Sequence, residues 1–166
     1  MTPLSLSPLR LSSDDIAEVV DIYVSNPEYG RASGEYDAAH VQAEQVAAEL
    51  REDTETGGFD VLLARDGEGR VVGLVSVLRQ HPRDGYPWIA VLIVHGDQHR
   101  KGHGRRLADL VEERLRSQGR NGVRLAVLEN NPTALAFWNS LGWQEIDRRP
   151  DAQYGRPCVV MHKEVA

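Results

Sequence analysis

The residues with the clearest chemical meaning lie in one run, Val94-His95-Gly96-Asp97-Gln98-His99-Arg100-Lys101-Gly102-His103-Gly104-Arg105-Arg106-Leu107. Gly102 and Gly104 allow a tight backbone turn and close approach of a ligand. A helix start offers unpaired N–H groups and a partial positive charge. Arg100, Lys101, Arg105 and Arg106 crowd that same start, where each cation opposes the helix dipole by roughly 0.3–1 kcal/mol. A bound polyanion reverses that sign, and phosphate is the common occupant of such a site. The run is therefore an expected phosphate cradle.

The elements that must position this cradle follow from periodicity. Trp88 to Val94 is apolar on both parities, as in a strand covered on both faces. Leu107, Leu110, Val111 and Leu115 fall on one helical face just after the glycines. Upstream, Leu4 to Leu11 alternates as a short strand. Ser12-Ser13-Asp14-Asp15 opens a helix carrying Ile16, Val19, Val20 and Tyr23, and Asn26-Pro27 ends it. Glu28 to Tyr36 has little pattern and reads as a loop. Asp37 is expected to cap a second helix with Ala43, Val46, Ala47 and Leu50 buried. Phe59–Ala64 and Val71–Leu78 flank Asp66-Gly67-Glu68-Gly69, a hairpin signal. Val123–Leu128 is a further strand. Ala134, Phe137, Trp138 and Leu141 line a helix, and the segments 143–148 and 157–161 close the sheet. The order is β-α-α-β-β-β-α-β-α-β-β. Hairpin-linked strands run antiparallel, whereas 88–94 and 123–128 are joined through a helix and can run parallel. The fold class is α/β (α+β): a mixed, mostly antiparallel sheet with helices on both faces, in a single domain over residues 1–166.

Other phosphate motifs fail on particular residues. The P-loop needs Gly-Lys-Ser/Thr where Gly104 is followed by Arg105-Arg106. The dinucleotide fingerprint needs a third glycine where Leu107 stands. The run His99-Arg100-Lys101-Gly102-His103-Gly104 instead resembles the Gln/Arg-x-x-Gly-x-Gly/Ala loop of the GCN5-related N-acetyltransferase (GNAT) superfamily. Asn131-Pro132-Thr133-Ala134 through Phe137-Trp138 to Gly142-Trp143 is similar to that family's Asn-x-x-Ala-x-x-aromatic/Leu-Tyr-x-x-x-Gly-Phe segment. The element order matches the family over nearly the whole chain.

The resemblance implies acetyl-CoA as cosubstrate and direct transfer of its acetyl group to a primary amine. It implies pyrophosphate held by the amides of Arg100 to Arg105, and a pantetheine arm paired with backbone near Leu92 and Val94. It places His99, Lys101, Gly102, His103, Gly104, Asn131, Phe137 and Trp138 around the cofactor. Asn131, before Pro132, is also a good N-cap by itself, and Phe137 and Trp138 also have core spacing. Three departures stand out. His99 replaces Gln or Arg. Trp138 replaces a Tyr that often protonates the leaving thiolate, which indole cannot do. Ala126 replaces a Glu base found in some members. The remaining candidates for catalysis are His95, just after one strand, and Glu129, at the end of another, with Tyr154 as a substitute acid and water as a relay. A second reading is a degenerate family domain that binds an acyl-CoA and regulates without turnover. In the family the region between the first two helices helps form the acceptor site, and here it holds Glu28, Tyr29, Glu35 and Tyr36.

Composition narrows the rest. The chain has 166 residues, enough for a core without staples, and a net charge of −6, the wrong sign for a general nucleic-acid coat. Its longest apolar run, Trp88 to Val94, is far short of the ~20 residues of a membrane span. No basic-then-apolar leader is visible at Met1-Thr2-Pro3-Leu4, so the cytoplasm is the expected compartment. Cys158 is the single cysteine, which excludes an internal disulfide and is read as core. His95, His99 and His103 span a loop with no completing ligand cluster, so no metal is expected. The acceptor and the oligomeric state, homodimer included, stay open at this level.

Overall fold

The computed structural model describes residues 3–166. Seven strands form one sheet in the order β1-β2-β3-β4-β5-β7-β6. These are β1 (Ser5–Pro8), β2 (Phe59–Arg65), β3 (Val71–Leu78), β4 (Trp88–Val94), β5 (Gly122–Leu128), β6 (Gln144–Pro150) and β7 (Pro157–Glu164). The helices are α1 (Ser13–Val24), α2 (Pro27–Ser33), α3 (Ala43–Glu55), α4 (His103–Ser117) and α5 (Pro132–Ser140). The expected mixed, mostly antiparallel sheet with helices on both faces is what forms; among the described residues only β4 and β5 pair in parallel.

Each face has its own core. Ile16, Val19 and Ile22 of α1 and Val46 and Leu50 of α3 pack on Val61, Leu63, Leu74 and Ile93. On the other face Ala108, Val111 and Leu115 of α4 and Trp138 of α5 pack on Leu62, Val75, Val123, Val127 and Val159. Ser12 caps α1 by accepting from the Asp15 N–H. The outermost strand, β6, is almost wholly exposed and carries Glu145, Asp147, Arg148 and Arg149, charges that discourage edge-to-edge pairing.

Two expectations need correction. Residues 28–36 are not all loop: Pro27–Ser33 is a helix, with Pro27 at its first turn and Gly34 in the left-handed conformation (φ 70°) ending it. Asp37 does not cap α3. It caps a single 3₁₀ turn at Ala38–His40, and α3 begins at Ala43. Element ends also shift: β1 is shorter than Leu4–Leu11, and β7 runs on to Glu164.

One irregularity in β4 shapes everything around it. Ser76 faces Val91 while Val77 faces Ile89, so Ala90 is an extra residue, a β-bulge. The bulge reverses the alternation of side chains. Ile89 belongs to the α4–α5 core, yet Ile93, of the same parity, belongs to the α1–α3 core. Beyond the bulge β4 also leaves its parallel neighbour. Pairing with β5 is confined to Trp88–Arg124 and Ile89–Leu125, and the strands then diverge.

No helix among the described residues is long and apolar enough to cross a membrane. The turn after β4 docks on the end of α1: the Gly96 N–H donates to Ser25 Oγ at 2.9 Å. A Cβ at Gly96 would fall on the Ser25 carbonyl. Gly96→Ala should therefore lower stability by about 1–3 kcal/mol, the range of an overpacked site, as read from urea denaturation midpoints.

Candidate functional site

The diverging strands expose backbone. The His95 N–H donates to the Val72 carbonyl at 2.8 Å, so residues 91, 93 and 95 turn their peptide groups toward β3. By alternation Leu92 and Val94 turn theirs toward β5, into the gap. The Val94 carbonyl accepts from Asn26 Nδ2 (3.1 Å) and His99 Nε2 (2.9 Å). A carbonyl only accepts, so His99 carries its proton on Nε2. The Val94 N–H and both peptide groups of Leu92 face the gap.

At the C-terminal end of β4 the chain turns through the glycine run into α4. Arg100 (φ 63°) and Gly102 (φ 77°) are left-handed, a geometry that costs a non-glycine residue roughly 1–2 kcal/mol. Gly102 is the N-cap of α4 and supplies no side-chain acceptor, and the first turn holds no acid. Its orphan N–H groups thus lack an internal anion. Arg100, Lys101 and Arg105 are exposed. Lys101 Nζ reaches the Gln98 side chain at 3.4 Å. His103 is buried at 6% exposure and its Nδ1 accepts from Arg106 Nη2 at 2.7 Å. Burial, then the charges of Arg106 and Lys101, hold its imidazole below the ordinary value of 6.5.

The second motif meets the first here. A Cβ on Gly104 would touch the Phe137 ring at 3.4 and 3.5 Å. Phe137 is half-buried and packs edge-on against Trp138 (4.9 Å), which packs edge-on against Trp143 (5.1 Å). Trp138 itself is 7% exposed and lies in the α4–α5 core. Asn131 caps α5 by accepting from the Ala134 N–H at 3.1 Å. This arrangement fits a pyrophosphate-bearing ligand on its own chemistry: uncapped amides, a glycine where a larger side chain would strike Phe137, and a cationic first turn that carries no acid.

The two candidate bases do not converge. His95 lies on the α1 face, its Nδ1 accepting from the Asp97 N–H (3.1 Å) and its Nε2 facing Asp21 Oδ2 (2.8 Å). Both ring nitrogens are engaged. Glu129 follows Val127, a residue of the α4–α5 core, by two positions and pairs with Arg148 at 3.3 Å. It therefore points to the opposite face of the sheet. His95, His99 and His103 each have separate partners and do not face one another.

The α1–α3 side of the gap brings residues named in the sequence together with Asp84, Tyr86, Arg124 and His162, which the sequence did not single out. Arg124, Ala126 and Leu128 of β5 share a face with His162, Val160 and Cys158 of β7. Ala126 is exposed although it sits mid-strand in an inner strand of the sheet. At the base, Asp84 accepts from Trp88 Nε1 and pairs with Arg124 at 3.1 Å, and Arg124 lies over the Tyr86 ring. At the other end Tyr36 lies 4.9 Å from Tyr23 and 6.2 Å from Tyr29. Burial, then Glu35, pushes the Tyr36 phenol to about 12, and burial raises Tyr23 and Tyr29 further. All three stay protonated across the physiological range. Burial also raises the Cys158 thiol, which keeps it from being a ready thiolate. Tyr154 is exposed on the β6–β7 loop beneath Arg156. The signal for this cluster was limited to Tyr29, Glu35 and Tyr36 in an unpatterned stretch.

A glycine-started helix thus stands at a splayed parallel pair within a seven-stranded sheet of order β1-β2-β3-β4-β5-β7-β6. The acetyltransferase (GNAT) family model matches residues 14–143, and the chain belongs to that family, whose members use acetyl-CoA as cosubstrate. An L-methionine sulfoximine/L-methionine sulfone acetyltransferase of Pseudomonas aeruginosa is 28% identical over 103 residues, 60% of this chain and 60% of that protein. The match thus spans less than two thirds of the curated relative's length. Among solved structures, the spermidine N-acetyltransferase of Vibrio cholerae in complex with CoA and spermine superposes with a TM-score of 0.78. It is 14% identical, over 97% of this chain and 95% of that one. An acetyltransferase of Thermus thermophilus gives 0.75 at 20% identity, over 97% and 96%. These likenesses extend the fold across nearly the whole chain.

Two outcomes follow. Gly104→Val should lower CoA affinity at least tenfold by titration calorimetry, with a cooperative melt retained. The depressed His103 value makes the unfolded state bind more protons below about pH 6.5. Stability should therefore fall as pH drops through 6.5 toward the folded value, and His103→Gln should remove that part of the slope in urea titrations run from pH 7.5 to 5.

Proposed function

We propose that the protein is an acetyl-CoA-dependent N-acetyltransferase that acylates a primary amine by direct transfer. The observation that carries this reading is the meeting, at the C-terminal end of β4, of gap-facing peptide groups with an acid-free cationic helix start. Bound acetyl-CoA supplies an acyl group held as a thioester. The Leu92 peptide groups and the Val94 N–H would receive its amide-bearing arm as an added strand. The amides from Arg100 to Arg105, with Gly102 and Gly104 giving room, would hold the pyrophosphate. Lys101 and the surrounding arginines would add charge. His99 would contribute through its backbone, because its ring is turned to the Val94 carbonyl. His103, buried beneath Arg106, would shape the turn. Asn131 would start α5 beside the cofactor, with Phe137 as a wall and Trp138 as the packing behind it.

A lysine-like amine has a pKa near ~10.4 and reacts only when neutral. The ring nitrogens of His95 are both engaged and Glu129 pairs with Arg148 on the other face, so neither is placed to act as the base. Ala126 is exposed, so water reaches the floor of the cleft. That supports proton transfer to and from solvent, in keeping with the absence of a Glu at 126 and of a phenol at 138.

Binding and turnover test this reading separately. CoA should bind at least tenfold more tightly than pantetheine and weaken as salt rises. Equal affinity for both would remove the phosphate cradle. Thiol release from acetyl-CoA should appear with at least one amine of a panel including L-methionine sulfone and spermidine. Tight CoA binding with no release across the panel favours the degenerate, regulatory domain.

A further inference from the structure

Helix α2 was not visible in the sequence, and its attachments lie far apart. At its start, Asn26 is buried (7% exposed) and donates from Nδ2 to the carbonyls of Val94 (3.1 Å) and Ile22 (2.9 Å). The Tyr36 hydroxyl donates to the Asn26 carbonyl at 2.7 Å. So α2 begins against the end of β4. At its finish, the Ala32 carbonyl accepts from Asn130 Nδ2 at 3.2 Å, just beyond the end of β5. The Ser33 carbonyl accepts from Arg156 Nη1 at 2.7 Å, just before the start of β7. Helix α2 thus runs from β4 to β5 and β7. Its seven residues span about 10 Å, close to two strand spacings of about 4.8 Å. It bridges the gap where β4 and β5 part.

The face it bridges is the α1–α3 face, since Tyr29 of α2 packs against that core. Beside the Asn130 contact, Arg156 fastens its far end to several groups at once. Arg156 reaches Ser33 through Nη1, Glu35 Oε1 through Nη2 (3.2 Å) and Asp151 Oδ2 through Nε (2.8 Å). Burial alone would raise the Asp151 carboxyl, but hydrogen bonds from Arg156 and from the Tyr154 and Arg156 amides bring it down to about 2. Asp151 therefore stays ionised across the physiological range. Mid-helix, Gly30 packs so closely on the segment after α2 that a Cβ there would meet the Tyr36 carbonyl at 2.8 Å.

We infer that α2, latched by Arg156, closes the strand-end side of the acceptor cleft, so that the acceptor is a compact small-molecule amine and Arg156 is a specificity-determining position. This rests on the acetyltransferase reading above. An extended polypeptide laid across the exposed Ala126 would need an exit on that side, and its path crosses the bonds from Arg156 to Ser33 and Glu35. A compact amine needs no exit.

The full chain tests this with two readouts. The first is kcat/KM for L-methionine sulfone and spermidine against two peptides, Ala-Ala-Ala-Ala-amide and acetyl-Ala-Lys-Ala-amide. In the wild type the better small amine should exceed the better peptide at least a hundredfold. Arg156→Ala should shrink that ratio at least tenfold, and Glu35→Gln should shrink it less, with CoA affinity unchanged in both. Peptides used as well as small amines by the wild type, or an unchanged ratio in a folded Arg156→Ala, would overturn the inference. The second readout is hydrogen exchange of the α2 amides, which needs no turnover. Exchange should rise at least tenfold in Arg156→Ala and much less in Arg156→Lys. Unchanged α2 exchange in Arg156→Ala would overturn the latch even if no amine were accepted, whereas failure of CoA binding would count against the acetyltransferase reading alone.

Discussion

The parting of β4 from β5 is the constraint on which the rest of the molecule depends. A buried peptide group without a partner costs about 1–3 kcal/mol, so an interior gap between two strands must be answered by something. Here it is answered in three ways. The Val94 carbonyl is filled by Asn26 and His99. The α1–α3 side is bridged by α2. The remaining gap-facing groups of Leu92 and Val94 suit a ligand that brings its own amides. The bulge at Ala90 sets this up by ending the parallel ladder after two residue pairs.

The two sides of the gap then differ in character. Toward α4 and α5 lie glycines, arginines and an aromatic wall. Toward α1 and α2 lie half-buried phenols, a small exposed alanine and a fastened strap. On the proposed function, a polyanion and an amine would approach from separate sides of the sheet and meet only at the gap. Charge placement follows this division. The net −6 of the chain does not extend to the first turn of α4, which holds no acid.

Sequence periodicity was enough for the strands, for the helix faces of α1, α4 and α5, and for the glycine run, because each rests on local spacing. Three features were not local. The bulge at Ala90 left the apolar run in β4 unchanged while reversing its faces, so the orientation of His95 could not be read. Glu129 looked close to the gap along the chain, but strand alternation turns it toward Arg148. Helix α2 has little amphipathic pattern in its seven residues and is held by Asn130 and Arg156, partners 98 and 123 residues away. Pro27, read as the end of α1, is also the first residue of α2, and Gly34, within the stretch read as loop, is its stop.

The narrow ladder between Trp88–Ile89 and Arg124–Leu125 also bears on how the molecule forms and holds together. Strands β1 to β4 join through antiparallel neighbours in a meander, and β5 to β7 form a second antiparallel set. The seam between them closes a loop of about 35 residues through α4 with little strand pairing to reward it, and such long-range parallel contacts are slow to form. Counted in backbone pairing, the seam is the weakest line in the sheet, and it is held instead by the core under α4 and α5 that packs across it. That line coincides with the gap-facing peptide groups of Leu92 and Val94, so a ligand that added a strand there would supply the pairing that the fold itself leaves out.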